Sequence, residues 1–182
     1  NGYATTGNIV PYGTYTIKEL VFPHGYTDNG QSEWTVVLSE NSPGGIEKLT
    51  VANRQMFGSI SVSKGDENGN PLDGVTFTVY NDWELKNAVG TIVTDANGIG
   101  TLSNLPSGYM YYVRETATQH PDYNLDLKVY EALITNEENV WINNGEQITN
   151  YLSTGAIGVK KANERGEFIQ GAIFGVYTDP AC

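Results

Sequence analysis

The chain has 182 residues and a formal net charge of -11 at pH 7, from 10 basic and 21 acidic side chains. This charge argues against nucleic acids and anionic membranes as partners, because both are polyanions. A single cysteine, Cys182, excludes an internal disulfide framework and a cysteine-based zinc site. No apolar run approaches the roughly 20 residues of a membrane span, so we expect no membrane insertion in this segment. No cofactor is expected.

Short strands separated by turns are predicted in chain order through the middle of the sequence. Period-2 alternation, or runs of β-branched and aromatic residues, mark six segments: 58–64, 74–80, 90–94, 109–116, 127–135 and 145–150. Turn signals separate several of them, at 67–70, 96–98 and 106–108. Residues 82–86 are consistent with one short helical turn. The pattern predicts an all-β fold, either a sandwich or a partly open barrel.

The chain repeats itself with a period of about 97 residues. Residues 58–64 match residues 155–161 at an offset of 97, and residues 15–19 match residues 111–115 at an offset of 96. The phase of the repeat divides the chain into three pieces: the back part of one domain (1–57), a complete domain (58–152) and the front part of a further domain (153–182). We call residues 1–57 the N-terminal piece. A period of this length fits an array of small domains better than a solenoid.

Six polar residues lie on predicted apolar faces, because alternate residues of a strand share a face with the apolar residues that precede them. They are Lys64 and Lys161, Glu115 and Glu19, and Asn150 and Asn53. Burying an unpaired ammonium or carboxylate costs several kcal/mol or changes its protonation state. The recurrence of the same three residue types therefore indicates either a reactive site or a structural hydrogen-bond network of strand-end residues.

The ordered motifs resemble CnaB-type domains, the prealbumin-like, Ig-like β-sandwiches of Gram-positive surface adhesins and pilins. The similarity is carried by six segments: Gly58–Lys64, Gly74–Tyr80, Thr94–Gly98, Leu105–Tyr109, Tyr112–Thr116 and Ile148–Asn150. In that family, an intramolecular isopeptide bond joins the first-strand lysine to an asparagine or aspartate of the last strand, and a glutamate promotes it. The resemblance therefore implies tandem CnaB-type domains stabilised by such bonds.

Carried over to this chain, the resemblance implies a Lys64–Asn150 bond with Glu115 as its catalyst. Glu19 and Asn53 match the same motifs in the first piece, and Lys161 matches in the last. A desolvated lysine has a lowered pKa and can act as a neutral nucleophile. A desolvated glutamate has a raised pKa, so we expect it to hydrogen-bond the asparagine carbonyl in its protonated form. The chain modifies itself once, so it is not an enzyme in the turnover sense.

The sequence thus predicts an extracellular stalk or shaft segment of a Gram-positive adhesin or pilus, attached to the cell wall or part of a surface fibre. Its partners would be neighbouring domains of the same array or other copies of itself. Two alternatives stay open: a ligand-binding adhesin domain that contacts host protein or glycan, and a covalent head-to-tail fibre in which Lys161 joins Asn53 of the next chain. Cys182 is either a small buried hydrophobe or an attachment point.

Overall fold

The computed structural model describes residues 2–7 and 10–178, so the two interpretations of Cys182 lie outside the described residues. The chain divides into two compact units, Asn1–Leu152 and Ser153–Cys182. Within the described part of the chain, no helix is long and apolar enough to cross a membrane.

The first unit is built from short β-strands. In chain order they are β1 (Gly13–Lys18), β2 (Tyr26–Thr27), β3 (Glu33–Leu38), β4 (Arg54–Gln55), β5 (Phe57–Asp66), β6 (Thr76–Tyr80), β7 (Ala88–Val93), β8 (Ile99–Pro106), β9 (Tyr109–Ala117), β10 (Val129–Ile134), β11 (Asn139–Trp141) and β12 (Ile148–Asn150). Two 3-10 turns accompany them, at Pro43–Gly45 and Ile142–Gly145. The fold is all-β, as the sequence predicts.

The strands from β5 onward form two sheets that enclose one core. One sheet has the order β10-β9-β6-β7. In the other, β5 pairs antiparallel with β8 and parallel with both β11 and β12. Alternate residues of these strands point inward, and the core is formed chiefly by Ile60, Val62, Val75, Phe77, Val79, Ile92, Val113, Ala132, Ile134 and Ile148. This arrangement is a β-sandwich in which β5 lies at the centre of one sheet.

The strand pairing of the N-terminal piece has the same order as that of the back part of the sandwich. β1 pairs antiparallel with β3, as β9 pairs with β10. Tyr26 pairs with Gln55, and the residues at an offset of 97, Tyr123 and Leu152, pair in the same way. This agreement supports the repeat arithmetic, while the division into three pieces stays a prediction.

A close backbone contact joins the N-terminal piece to the sandwich. The Gln55 side chain donates hydrogen bonds to the carbonyl oxygens of Gly25, Met56 and Ser107, at 2.8, 3.0 and 3.1 Å. Gly25 has a positive φ of 78°, and a Cβ there would collide with the carbonyl oxygen of Ser107. Only glycine combines this conformation with so close an approach.

Several local expectations are corrected by the structure. β8 and β11 are strands that the sequence did not predict. Residues 82–86 form a turn rather than a helical turn, with Leu85 at a φ of 59°. Residues 155–161 form no strand, and the described residues of the second unit contain only an isolated bridge between Ala162 and Phe168. A strand needs hydrogen-bonding neighbours, and the described part of that unit contains no counterparts of those that flank β5.

The core assignment predicts unequal effects of two matched substitutions. Val79 on β6 is completely buried, whereas Val93 on β7 is 57% exposed. We expect Val79→Ala to lower the free energy of unfolding by about 2 kcal/mol, because it removes buried methyl groups and leaves a cavity. Val93→Ala should cost less than about 1 kcal/mol. Urea unfolding of the two variants measures the difference, and equal losses would contradict the assignment.

Candidate functional site

Three polar side chains meet inside the sandwich, and they are the three that the sequence predicted for the middle domain. Lys64 Nζ donates a hydrogen bond to Asn150 Oδ1 at 2.7 Å. Asn150 Nδ2 donates to Glu115 Oε1 at 2.6 Å. Glu115 Oε2 lies 3.5 Å from Lys64 Nζ. Each residue therefore contacts the other two, and the contacts form a closed triangle.

The two sheets position this triangle, because alternate side chains along their strands point into the sandwich. Lys64 follows Ile60 and Val62 on the inward face of β5, and Glu115 lies on β9 in the opposite sheet. Asn150 is at the end of β12, which runs parallel to β5 with Ile148 directly opposite Lys64. The site thus links the first strand of the sandwich to its last strand and to the facing sheet.

The triangle is shielded from solvent, which decides its electrostatics. Lys64 is 0% exposed, and Glu115 and Asn150 are each 1% exposed. Burial lowers the pKa of Lys64, although Glu115 opposes the shift. Burial raises the pKa of Glu115, although the hydrogen bond from Asn150 and the charge of Lys64 oppose it. Both directions favour a neutral amine beside a protonated carboxyl group, because desolvation penalises the charged forms.

One expected contact is different in the structure. The sequence argument had Glu115 hydrogen-bonded to the Asn150 carbonyl, but Glu115 accepts a hydrogen bond from the amide nitrogen. The carbonyl oxygen instead faces the lysine. The reason is geometric, because Lys64 and Glu115 approach Asn150 from the two sheets and Nζ is a donor. Glu115 therefore lies beside the nitrogen that must leave if an amide bond is exchanged.

Two further residues support Glu115, and the sequence analysis missed them. The backbone N–H of Asp126 donates to Glu115 Oε2 at 3.3 Å. Tyr130 Oη donates to Asp126 Oδ2 at 2.6 Å, and burial and this carboxylate raise the pKa of Tyr130. The sequence could have indicated Tyr130, because it alternates with exposed residues and shares the inward face of β10 with Ala132. No motif pointed to Asp126, which lies in a loop.

The other predicted site residues lie outside this triangle. In the N-terminal piece, Asn53 Nδ2 donates to Glu19 Oε1 at 2.8 Å in a part-buried setting. Lys161, which the sequence placed on a core-facing strand position, is exposed in the second unit. The expected burial of Lys161 is therefore wrong in this structure, because residues 155–161 form no strand there. Within the described residues, no cluster of His, Cys, Asp or Glu could hold a metal ion.

The raised pKa of Glu115 predicts a pH dependence of stability in a variant that lacks the Lys64 amine and so cannot form an amide bond with Asn150. A group with a raised folded pKa contributes its full stability below the unfolded pKa, about 4.5 for Glu, and loses it as pH rises through the folded pKa. We therefore expect the free energy of unfolding of Lys64→Met to fall as pH rises above about 4.5, relative to Lys64→Met/Glu115→Gln. Urea unfolding across a pH series measures both, and parallel profiles would contradict the shift.

Comparisons with known proteins agree with this fold. Residues 58–146, about half of the chain, match the family model for the SpaA prealbumin-like fold domain. The structure of the Bacillus anthracis TIE protein is similar with a TM-score of 0.60 and 28% identity, over 78% of this chain and 25% of that chain. The chain thus spans only about a quarter of that solved relative. No curated protein sequence matches.

Two pilin structures are also similar, at lower scores. A minor pilin of Streptococcus agalactiae shares 20% identity over 85% of this chain and 66% of that chain, with a TM-score of 0.44. The major pilin SpaD of Corynebacterium diphtheriae shares 20% identity over 53% of this chain and 30% of that chain, with a TM-score of 0.38. The family match and the sandwich together place residues 58–146 in the SpaA prealbumin-like family, as a CnaB-like domain.

Proposed function

We propose that this chain is a structural segment of a Gram-positive surface pilus or adhesin, displayed outside the cell. Its middle domain would be cross-linked by an amide bond between Lys64 and Asn150, with Glu115 as the promoter. The observation that carries the proposal is the buried triangle, in which Nζ lies 2.7 Å from the asparagine carbonyl oxygen and Oε1 lies 2.6 Å from its amide nitrogen. Its partners would be neighbouring domains of the same array.

The contacts suggest a route for each proton. The neutral amine of Lys64 attacks Cγ of Asn150, so that the Nζ–Cγ bond forms and the Cγ–Nδ2 bond breaks. Glu115 Oε2 faces the amine and can take its proton. Oε1 faces Nδ2 and can supply a proton to the departing nitrogen. Ammonia leaves and Glu115 is restored, but the lysine and asparagine are consumed, so each chain reacts once.

Burial and rigidity lower the barrier to this exchange. For reactants held in a reactive geometry, up to about 7–11 kcal/mol of the activation free energy can be saved, because the translational and rotational entropy has already been lost, here on folding. The side chains lie on three strands whose register is fixed by backbone pairing. Folding of the sandwich therefore brings the reactants together, and no cofactor is required by these steps.

The bond would matter most under mechanical load. It closes a loop between positions 86 residues apart, which by the loop-entropy estimate stabilises the domain by roughly 4–5 kcal/mol. β5 opens the domain and β12 closes it, and the two strands are adjacent and parallel. A pulling force would therefore pass from β5 through the amide bond to β12. The residues between Lys64 and Asn150 would carry no load.

Intact mass spectrometry tests the cross-link. We expect the chain to be lighter than its sequence mass by one ammonia for each bond formed. Lys64→Ala, Asn150→Ala and Glu115→Gln should each abolish the loss that belongs to the middle domain, because they remove the nucleophile, the electrophile and the proton carrier. Lys86→Ala is the matched control, since Lys86 is on the surface. An unshifted mass in the unmutated chain would refute the bond.

Single-molecule stretching tests the load-bearing role. Lys64→Ala prevents the bond from forming and so leaves the 86-residue loop free to extend. The unfolded variant should therefore be about 300 Å longer than the unmutated chain, at roughly 3.5 Å per residue. Lys86→Ala should extend like the unmutated chain. The role would be excluded if the mass experiment showed the bond and the extension were nevertheless the same in all three proteins.

A further inference from the structure

The exchange proposed for Lys64 and Asn150 would change two of the three groups that hold the Glu115 carboxyl group in place. Asn150 Nδ2, which donates to Oε1, would leave as ammonia, and Lys64 Nζ, which lies 3.5 Å from Oε2, would become an amide nitrogen. The third group is the backbone N–H of Asp126, which donates to Oε2 at 3.3 Å and takes no part in the exchange. Among the contacts described for this carboxyl group, it is therefore the one that stays constant throughout.

The position of this N–H is not fixed by a sheet. Asp126 lies in the loop between β9, which ends at Ala117, and β10, which begins at Val129. The side chain of Asp126 fixes the loop instead. Oδ1 accepts a hydrogen bond from the Lys128 N–H at 3.0 Å, and Oδ2 accepts one from Tyr130 Oη at 2.6 Å. Hydrogen bonds to carboxylates are among the strong ones in proteins, so both oxygens of Asp126 are held.

Tyr130 is the rigid end of this series of contacts. It is 7% exposed and lies on β10 directly opposite Val113 of β9, which shares its inward face with Glu115. Lys128 Nζ lies 4.4 Å from the centre of the Tyr130 ring, within the range of a cation–π contact. Burial and the Asp126 carboxylate raise the pKa of the phenol, so the hydroxyl stays protonated and continues to donate. It thus connects the core of the sandwich to the loop.

We propose that Tyr130 and Asp126 are positioning residues for the exchange between Lys64 and Asn150. The Tyr130 hydroxyl holds the Asp126 carboxylate, the carboxylate holds the loop, and the loop N–H keeps Glu115 Oε2 directed at Nζ. Neither side chain contacts Lys64 or Asn150 in the described hydrogen bonds, so both act through Glu115. This inference rests on the proposed function and extends it to a loop that the ordered motifs do not mark.

Orientation matters because the two oxygens of Glu115 have different tasks. In the proposed route Oε2 takes a proton from Nζ, while Oε1 supplies one to Nδ2. The terminal torsion of a glutamate side chain is broad, so a carboxyl group without a fixed contact can rotate away from its partners as they move. Burial raises the pKa of Glu115, and the Asp126 N–H is among the contacts that oppose this rise, because it favours the charged form that accepts the proton.

The rate at which newly made chains acquire the link tests this role. The full 182-residue chain is synthesised in a cell-free system, samples are quenched in denaturant over time, and peptide mapping by mass spectrometry follows the Lys64–Asn150 link. We expect Tyr130→Phe and Asp126→Ala to slow its formation by about tenfold or more, because small misplacements of a reacting group are costly in rate. Asp126→Asn should restore a rate close to that of the unmutated chain, since its amide oxygen and nitrogen can still bond to the Lys128 N–H and to Tyr130 Oη.

Tyr111→Phe is the matched control. Tyr111 is 3% exposed, and its hydroxyl donates to the carbonyl oxygen of Pro106 at 2.8 Å, so this variant also loses one hydroxyl hydrogen bond of a buried tyrosine. It should form the link at the unmutated rate. Urea unfolding of Tyr111→Phe and Tyr130→Phe, each combined with Lys64→Met so that no link forms, should show similar losses of stability. The comparison separates an effect on rate from an effect on stability.

The amide proton of Asp126 gives a second, independent readout. In Lys64→Met, its NMR chemical shift reports the hydrogen bond to Glu115. Adding Tyr130→Phe should move this resonance upfield, because a longer hydrogen bond deshields the proton less, whereas adding Tyr111→Phe should leave it unchanged. A resonance that does not respond to Tyr130→Phe would contradict the series of contacts from the phenol to the carboxyl group.

These measurements separate failure of this inference from failure of the proposed function. Equal rates in Tyr130→Phe and the unmutated chain overturn the positioning role and leave the Lys64–Asn150 bond intact. Equal slowing in Tyr130→Phe and Tyr111→Phe also overturns it, because loss of stability then explains both. If Tyr130→Phe does not fold, Asp126→Ala and its rescue by Asp126→Asn decide the question. Absence of the link from the unmutated chain overturns the proposed function, and the positioning role falls with it.

Discussion

The burial of the Lys64 amine is the constraint on which the rest of the structure depends. A fully buried ammonium ion with no partner would be strongly destabilising, and the sandwich meets this cost with Glu115 from the facing sheet and Asn150 from the neighbouring strand. Burial shifts the pKa values of lysine and glutamate towards each other. The burial that makes these side chains costly as structural elements is thus the feature on which the proposed amide exchange would depend.

Because of the topology, the proposed bond could form only after the domain has folded. Asn150 reaches Lys64 only when β12 pairs with β5 at the end of the domain, and Glu115 reaches both only when the two sheets pack. None of the three contacts is local in sequence, since the nearest pair in the chain is 35 residues apart. A covalent bond formed here can therefore lock the native sandwich, but it cannot guide the chain towards it. The supporting contacts from Asp126 and Tyr130 depend on the same packing.

The residues of the middle triangle were predictable from the sequence, because strand parity and ordered motifs both mark inward positions. The hydrogen-bond arrangement was not, since parity does not say which atom of Asn150 faces Glu115. β8 was missed because its polar and glycine residues interrupt the alternation, and β11 because three residues carry little pattern. Asp126 acts through its backbone N–H, and a backbone contact leaves no trace in residue type.

Lys161 shows most clearly what a local pattern cannot determine. Val62 and Val159 occupy matching places in the aligned segments 58–64 and 155–161, yet one is completely buried and the other is 55% exposed. The difference lies in the neighbouring strands, because β5 has β8, β11 and β12 beside it. A strand of this family is therefore specified jointly by its own alternation and by the surface that receives it.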